Sequence, residues 1–301
     1  MRIAITGGTG FVGSALTSYL SEQGHTLFIL TRKKIEQTDP NITYVEWLHA
    51  DSKPESMLSE IDAFVNLAGE SINSGRWTKV RKEKIISSRI QVTKEVIRIL
   101  SKLDKKPDIL LNASAIGIYG TSFDATFTED SPEIGKDFLA QTVDAWEAEA
   151  LKVEELGIEV ALMRFGIILG KNAGALPKML LPYQLFIGGT IGSGHQWLSW
   201  VHIEDVVKSI EFVMKNKITG PVNITAPFPE RMSKFGQTIG KVLKRPHFLP
   251  VPSICLRLLL GEMSILVLEG QKVIPEKLVK SGYKFSYLDL EKALKQICAS
   301  D

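Results

Sequence analysis

The chain opens with a short β-branched run, RIAIT at residues 2–6, which breaks into glycines as TGGTGFVG and resumes as FVGSALTSYLSEQG. Val12, Leu16 and Leu20 recur at helical spacing before Gly24 ends the pattern. This reads as strand, glycine turn, helix, with Gly7, Gly10 and Gly13 spaced as GxxGxxG. In such a turn one glycine permits the tight bend, one lets a pyrophosphate approach the backbone, and one lets helix pack on strand. The helix N-terminus adds N–H donors and a positive dipole. A glycine triplet alone says little; between a first strand and its helix it points to a dinucleotide site.

The alternation continues. HTLFILTR, ITYVEW and AFVNLAG read as buried strands, and residues 79–102 carry a 3.6-type stripe through Val80, Ile85, Ile86, Ile90, Val96, Ile97 and Leu100. DILLNASA, TVDAWEAEALKVEELG and EVALMRFGIILG follow as strand, helix, strand. The expected fold class is α/β, a Rossmann doubly wound parallel sheet with a smaller C-terminal substrate lobe. Residues 1–170 and 197–225 read as the nucleotide-binding domain, and 171–196 and 226–301 as the lobe. The glycine-rich loop 188–197 fits either a flap over a site or a plain connection. The apolar stretch VPSICLRLLLGEMSILVLEG carries Arg257 and Glu262 where a membrane helix of roughly 20 residues needs none, so it reads as a buried or lobe-packing helix.

Composition narrows the partners. Thirty-six Lys and Arg against 34 Asp and Glu leave a charge of +2, which excludes an electrostatic drive toward nucleic acid or anionic membranes. Five histidines and two cysteines, Cys255 and Cys298, form no metal or disulfide spacing. With no signal-peptide pattern at MRIAITGG, a cytoplasmic location is expected.

In NAD sites the second strand ends in a carboxylate that grips the ribose 2′-hydroxyl. Here it ends in LTRKK, with no acid before Glu36. Arg32, helped by Lys33, offers a fork of donors to a 2′-phosphate, which favours NADP. Solvated surface cations are the alternative.

Together TGGTGFVG, NLAG (66–69), SAIGIYG (114–120), RFGIILG (164–170) and WVHIEDVV (200–207) resemble the extended short-chain dehydrogenase/reductase, or NAD-dependent epimerase/dehydratase, superfamily. GESIN, RWT and SR near 69–89, with the tail RLLLGEMSILVLEGQKVIPEKLVKSGYKF, look like its subgroup of epimerase family proteins with their own C-terminal domain. The resemblance implies that Thr6, Gly7, Gly10, Phe11, Val12 and Gly13 lie along the pyrophosphate and Arg32 at the adenosine ribose. It places Leu67, Ala68 and Gly69, with Glu70 beside them, along the adenosine and ribose half of the cofactor. Ser114 matches the serine facing nicotinamide and substrate.

Working members of the superfamily carry YxxxK on the helix after the serine strand. The tyrosine exchanges a proton with the substrate oxygen, and the lysine lowers the tyrosine's pKa. None of the six tyrosines here has a lysine four positions later, and residues 137–150 contain neither Tyr nor Lys. The empty positions fall near Gln141 and Ala145, beside Trp146, which reads as packing. Tyr119 is the candidate stand-in for the proton donor, although the superfamily also uses it to support the fold or line the substrate. Glu70, Glu147 and Glu149 are general acids only if burial raises their pKa; otherwise the helix glutamates are solvated. Lys84 and Arg89 read as surface or interface charges. Arg76 and Trp77 are expected near the cofactor edge, and His202 and Asp205 as fold support.

Two functions remain. One is an NADP-dependent oxidoreductase or epimerase-like enzyme acting on a small molecule with a non-standard proton donor. The other is a non-catalytic NADP-binding sensor. The long helix also matches the pairing helix of superfamily homodimers, or spends its stripe on the sheet.

Overall fold

A computed structural model describes residues 1–36, 39–49 and 51–299. Among them a seven-stranded parallel sheet is built from β1 (Arg2–Thr6), β2 (Thr26–Thr31), β3 (Ile42–Glu46), β4 (Ala63–Asn66), β5 (Ile109–Ala115), β6 (Glu159–Phe165) and β7 (Gly220–Ile224). Across the sheet they run β7-β6-β5-β4-β1-β2-β3. The order reverses beside β1, and in open α/β sheets the crevice at that switch point is where ligands bind.

Period-two alternation sends each strand's side chains to two separate cores. Ile3 and Ile5 of β1 face α1 (Phe11–Glu22) and a later helix, Ile203–Lys215. Ala4 faces the other way, with Phe64 of β4 and Leu110 of β5, toward α2 (Lys79–Lys102) and α3 (Phe138–Leu151). Ile85, Val96, Ile99 and Leu100 of α2 are buried, the last three in this core, whereas Val80 at the helix start is 74% exposed. The expected parallel, doubly covered sheet is therefore present.

A third core gathers Leu176, Leu180, Trp200, Phe235, Ile239, Leu290 and Leu294. It joins the helix Leu176–Gln184 to two later ones, Met232–Leu243 and Leu290–Ala299. Within the range read as lobe, Leu278 and Tyr283 instead join the sheet-side core. The anchor is Asp205, whose carboxylate accepts from the amides of Ser286 and Tyr287 and from the Tyr283 hydroxyl. His202 caps the Ile203–Lys215 helix through Nδ1, which accepts from the Glu204 amide at 3.1 Å. Its Nε2 meets Gln296 at 2.9 Å and its ring stacks on Tyr287, while burial lowers its pKa. Both residues thus tie the C-terminal segment to the sheet domain.

The apolar run near 253–268, read as a buried or lobe-packing helix, is not one continuous helix. It breaks into Ser253–Leu260, a 3-10 turn and Ile265–Leu268, and the first piece buries none of its residues. Leu258 is 76% exposed. Hydrophobic composition without a full helical period on one face does not secure burial. No helix among the described residues is long and apolar enough to cross a membrane.

Candidate functional site

The glycine turn is shaped by what cannot fit there. Gly7 has φ +69°, a left-handed value, and a Cβ on it would sit 2.9 Å from the backbone of Leu67 and Ala68. A Cβ on Gly13 would lie 2.0 Å from the Gly7 carbonyl oxygen. First strand, turn and helix are therefore in backbone contact. Gly10 is the N-cap of α1; no side chain caps the helix and its first turn holds no acid. The first-turn amides, of Phe11, Val12 and Gly13, have no side-chain cap, the usual arrangement for an incoming phosphate. The Phe11 ring packs beside Gly170 and Gly174.

At the carboxyl ends of four strands, the face toward α2 and α3 changes from apolar to polar. The residues are Thr6 of β1, Asn66 of β4, Asn112 and Ser114 of β5, and Arg164 of β6, which register aligns in pairs. The Thr6 hydroxyl donates to Asn66 Oδ1 at 2.6 Å and accepts from the amides of Leu67 and Ala68. Asn66 Nδ2 donates to Asn112 at 2.7 Å and to Thr93 at 3.2 Å. Thr93 also accepts from the Trp146 indole at 3.1 Å. This chain fixes α2 and α3 relative to the strand ends, a buried polar network with its partners supplied internally.

Next to it lies a second network. Glu147 of α3 takes Arg164 in a two-pronged pair, at 2.8 Å from Nε and 2.7 Å from Nη2. The Ser114 hydroxyl donates to the same carboxylate. Arg164 Nη1 donates to the Tyr119 hydroxyl at 2.9 Å, and that hydroxyl donates to Asn223 Oδ1 at 2.8 Å. Burial acts to lower the Arg164 pKa, but the hydrogen bonds and charge of Glu147 outweigh it and raise it. Burial raises the Tyr119 pKa, with Arg164 opposing.

A cavity of about 280 Å³ opens on the other side of α3. Leu139, Thr142, Val143 and Trp146 face it, a single helical stripe, and Ile265 and Val267 close it from the lobe. Arg89 of α2 enters beside them, its guanidinium 5.0 Å over the Trp146 ring. Its stem also passes 3.4 Å from where a Gly69 Cβ would stand, so it spans the end of β4 and the cavity.

Residues 3–225 match the model of the NAD dependent epimerase/dehydratase family. The chain belongs to that family. Residues 251–297 of this epimerase/dehydratase-family protein match a domain of unknown function, DUF1731. The chain is 51% identical to the epimerase family protein YfhF of Bacillus subtilis over 300 residues, 99% of this chain and 98% of that one. The structure of human epimerase family protein SDR39U1 with NADPH is similar at TM-score 0.90 and 34% identity, with all of both chains covered. A nucleoside-diphosphate sugar epimerase from Corynebacterium glutamicum aligns at TM-score 0.77 and 30% identity, over 99% of this chain and 58% of that one.

Several residues of this family member stand differently from their sequence reading. Tyr119, the candidate stand-in donor that also reads as fold support, does not line the cavity and has its hydroxyl committed to Asn223 and Arg164. Ser114 is buried, and its hydroxyl donates to Glu147. Glu147 and Glu149, read as solvated, are 7% and 8% exposed. Glu149 pairs with Lys152. Burial does not raise the Glu70 pKa: the hydrogen bond from Arg81, at 2.7 Å, leads the effects that hold its carboxyl below its ordinary value. Arg89, read as a surface charge, is largely enclosed, and burial pushes its pKa down to about 10.

Arg32 stands exposed just beyond β2, and its side chain has no hydrogen-bond partner among the described residues. Arg76 donates to the carbonyls of Leu258 and Leu259 and so caps the exposed lobe helix, while Trp77 packs edge-on against Phe138. The sequence reading missed the Glu147–Arg164 pair. Its signal was Arg164 inside EVALMRF, since a cation in a buried strand requires a partner.

Proposed function

We propose that this chain binds NADP(H) and performs oxidoreductase or epimerase-like hydride chemistry on a small molecule held beneath α3, without a Tyr-Lys pair. The observation carrying the reading is the cavity beside α3, which Arg89 connects to Gly69 at the end of β4. A largely apolar cavity beside the carboxyl ends of β5 and β6 is a usual form of a small-molecule site. The glycine cradle fits a dinucleotide because a Cβ at Gly7 or Gly13 would fill it and because α1 lacks a side-chain cap. Thr6 to Gly13 hold the pyrophosphate, Arg32 the 2′-phosphate, and Leu67 to Glu70 the ribose half; the bound cofactor supplies or accepts a hydride. The relative solved with NADPH supports the choice of NADP.

The Ser114 and Tyr119 hydroxyls donate hydrogen bonds to Glu147 and Asn223, so in this reading Ser114 positions α3 and solvent supplies the proton. The same commitment favours one competing reading, a non-catalytic NADP-binding sensor. Two measurements decide. Arg32→Glu weakens NADPH by about tenfold or more, about 1.4 kcal/mol, and leaves NADH nearly unchanged; equal losses remove Arg32 from the 2′-phosphate. Bound NADPH is oxidised in a single turnover by some member of a panel of aldehydes, ketones and sugar nucleotides. Tight binding without oxidation across that panel leaves the sensor.

A further inference from the structure

Arg89 is a half-buried cation without a carboxylate partner. Its Nη1 donates to the carbonyls of Glu70 at 3.0 Å and Ile85 at 2.9 Å, both neutral acceptors. The nearby acid, Glu70, is taken by Arg81 at 2.7 Å and approached by Lys84 at 3.8 Å. Nε and Nη2 of Arg89 have no hydrogen-bond partner among the described residues. Burial lowers the pKa to about 10, which leaves the group charged at neutral pH. A half-buried guanidinium without a counterion keeps two donors open to the cavity, and that fork matches the two oxygens of a carboxylate.

The rest of the cavity sets the remainder of the ligand. Its other charged lining groups are committed: Asp137 accepts from the Leu139 and Ala140 amides at the start of α3, and Glu269 accepts from the Thr121 hydroxyl. The cations Arg231 and Lys272 lie against the Trp197 ring and do not line the cavity. A nucleoside diphosphate would bring at least two negative charges and a polar sugar to one guanidinium and an apolar wall. The volume, about 280 Å³, is at the small end for ligand sites.

We propose that this cavity takes a compact monoanion, an aromatic or branched aliphatic carboxylate. Nε and Nη2 of Arg89 hold its carboxylate, and its hydrocarbon part lies against Trp146, Leu139 and Val143. The inference deepens the proposed function, since it names the substrate class of the same site.

Calorimetry on the full chain tests it with phenylacetate and 4-methylpentanoate against their neutral amides, with and without NADP+. The carboxylates bind at least about tenfold tighter than the amides. Arg89→Gln erases that preference and Arg89→Lys keeps part of it. Val143→Phe, which fills the cavity and leaves Arg89 in place, weakens acid and amide together. Equal affinity of acids and amides for the unmodified protein overturns the proposal. So does an undiminished preference in Arg89→Gln, or UDP-glucose binding tighter than either carboxylate and lost in Arg89→Gln. NADPH titration of the same samples separates the two readings: failure to bind NADPH overturns the cofactor assignment, while the cofactor-free carboxylate arm still decides this one.

Discussion

At the carboxyl ends of β1 and β4 the chain removes atoms; at the ends of β5 and β6 it fills the space with charge. Around Gly7 and Gly13 a Cβ would strike backbone, and the first turn of α1 carries no side-chain cap. Around Ser114 and Arg164 a carboxylate, a guanidinium and two hydroxyls satisfy one another. Donors without internal partners are available to a ligand, whereas a closed network spends its hydrogen bonds on holding elements together. Helix α3 turns Glu147 inward and an almost wholly apolar stripe outward. The cation lining the cavity comes from α2, as Arg89.

The largest effects are expected where the closed network is broken. Glu147→Leu leaves Arg164 buried without its counterion, and breaking one partner of such a pair costs about 3–5 kcal/mol. Both side chains of the pair are close to 10% exposed, so solvent offers little rescue. Urea unfolding of Glu147→Leu, Arg164→Met and the double variant checks this: the double variant recovers much of the loss. If the single variants keep their stability and lose only NADPH oxidation, the network belongs to catalysis and the contrast between the two halves collapses.

A smaller loss is expected in the open half. Gly13→Ala forces a methyl into the Gly7 carbonyl, against backbone that no rotamer change can clear. Overpacking of this kind costs about 1–3 kcal/mol, and here the separation of α1 from the turn also spoils the phosphate cradle. NADPH affinity, read by calorimetry, falls by about a hundredfold. Gly10→Ala is the control, since its Cβ would stand 3.2 Å from the Gly7 oxygen and the neighbour can give slightly. Equal effects at Gly10 and Gly13 would show that close packing is not what shapes the cradle.

What could be read from the sequence follows the range of the interactions. The strand, turn and first helix lie within one short segment, so their glycine spacing and periodicity expose both fold and cradle. The Glu147–Arg164–Tyr119 cluster joins residues from α3, β6 and the turn after β5, and DAWEAEALK looks like an ordinary charged helix until the sheet is assembled. Arg89 was hidden for the same reason: a cation on a long helix reads as solvated, and its enclosure depends on Trp146 and the lobe. In the run near 253–268 the leucines signal burial that the helix Ser253–Leu260 does not provide, although Leu268 in the next short helix is buried.

The smallest effect lies where the two halves meet. Glu70 follows NLAG, its carbonyl accepts from Arg89 and its carboxylate takes Arg81, so it steadies the cation that enters the cavity. Arg81 holds its carboxyl below the ordinary value of 4.5, with burial opposing and Lys84 assisting. A depressed acid contributes stability that is complete above its unfolded pKa and is lost as pH falls through the lower folded one. The side chain is 31% exposed, so salt screens the pair and its worth stays under about 1 kcal/mol. Melting temperatures of the unmodified protein and Glu70→Gln therefore differ by a constant, small amount from neutral pH down to about 4.5 and converge at lower pH, with high salt shrinking the gap throughout. A gap that widens on acidification would mean that Glu70 is protonated more readily in the folded protein, and that the end of β4 is gripped by something other than Arg81.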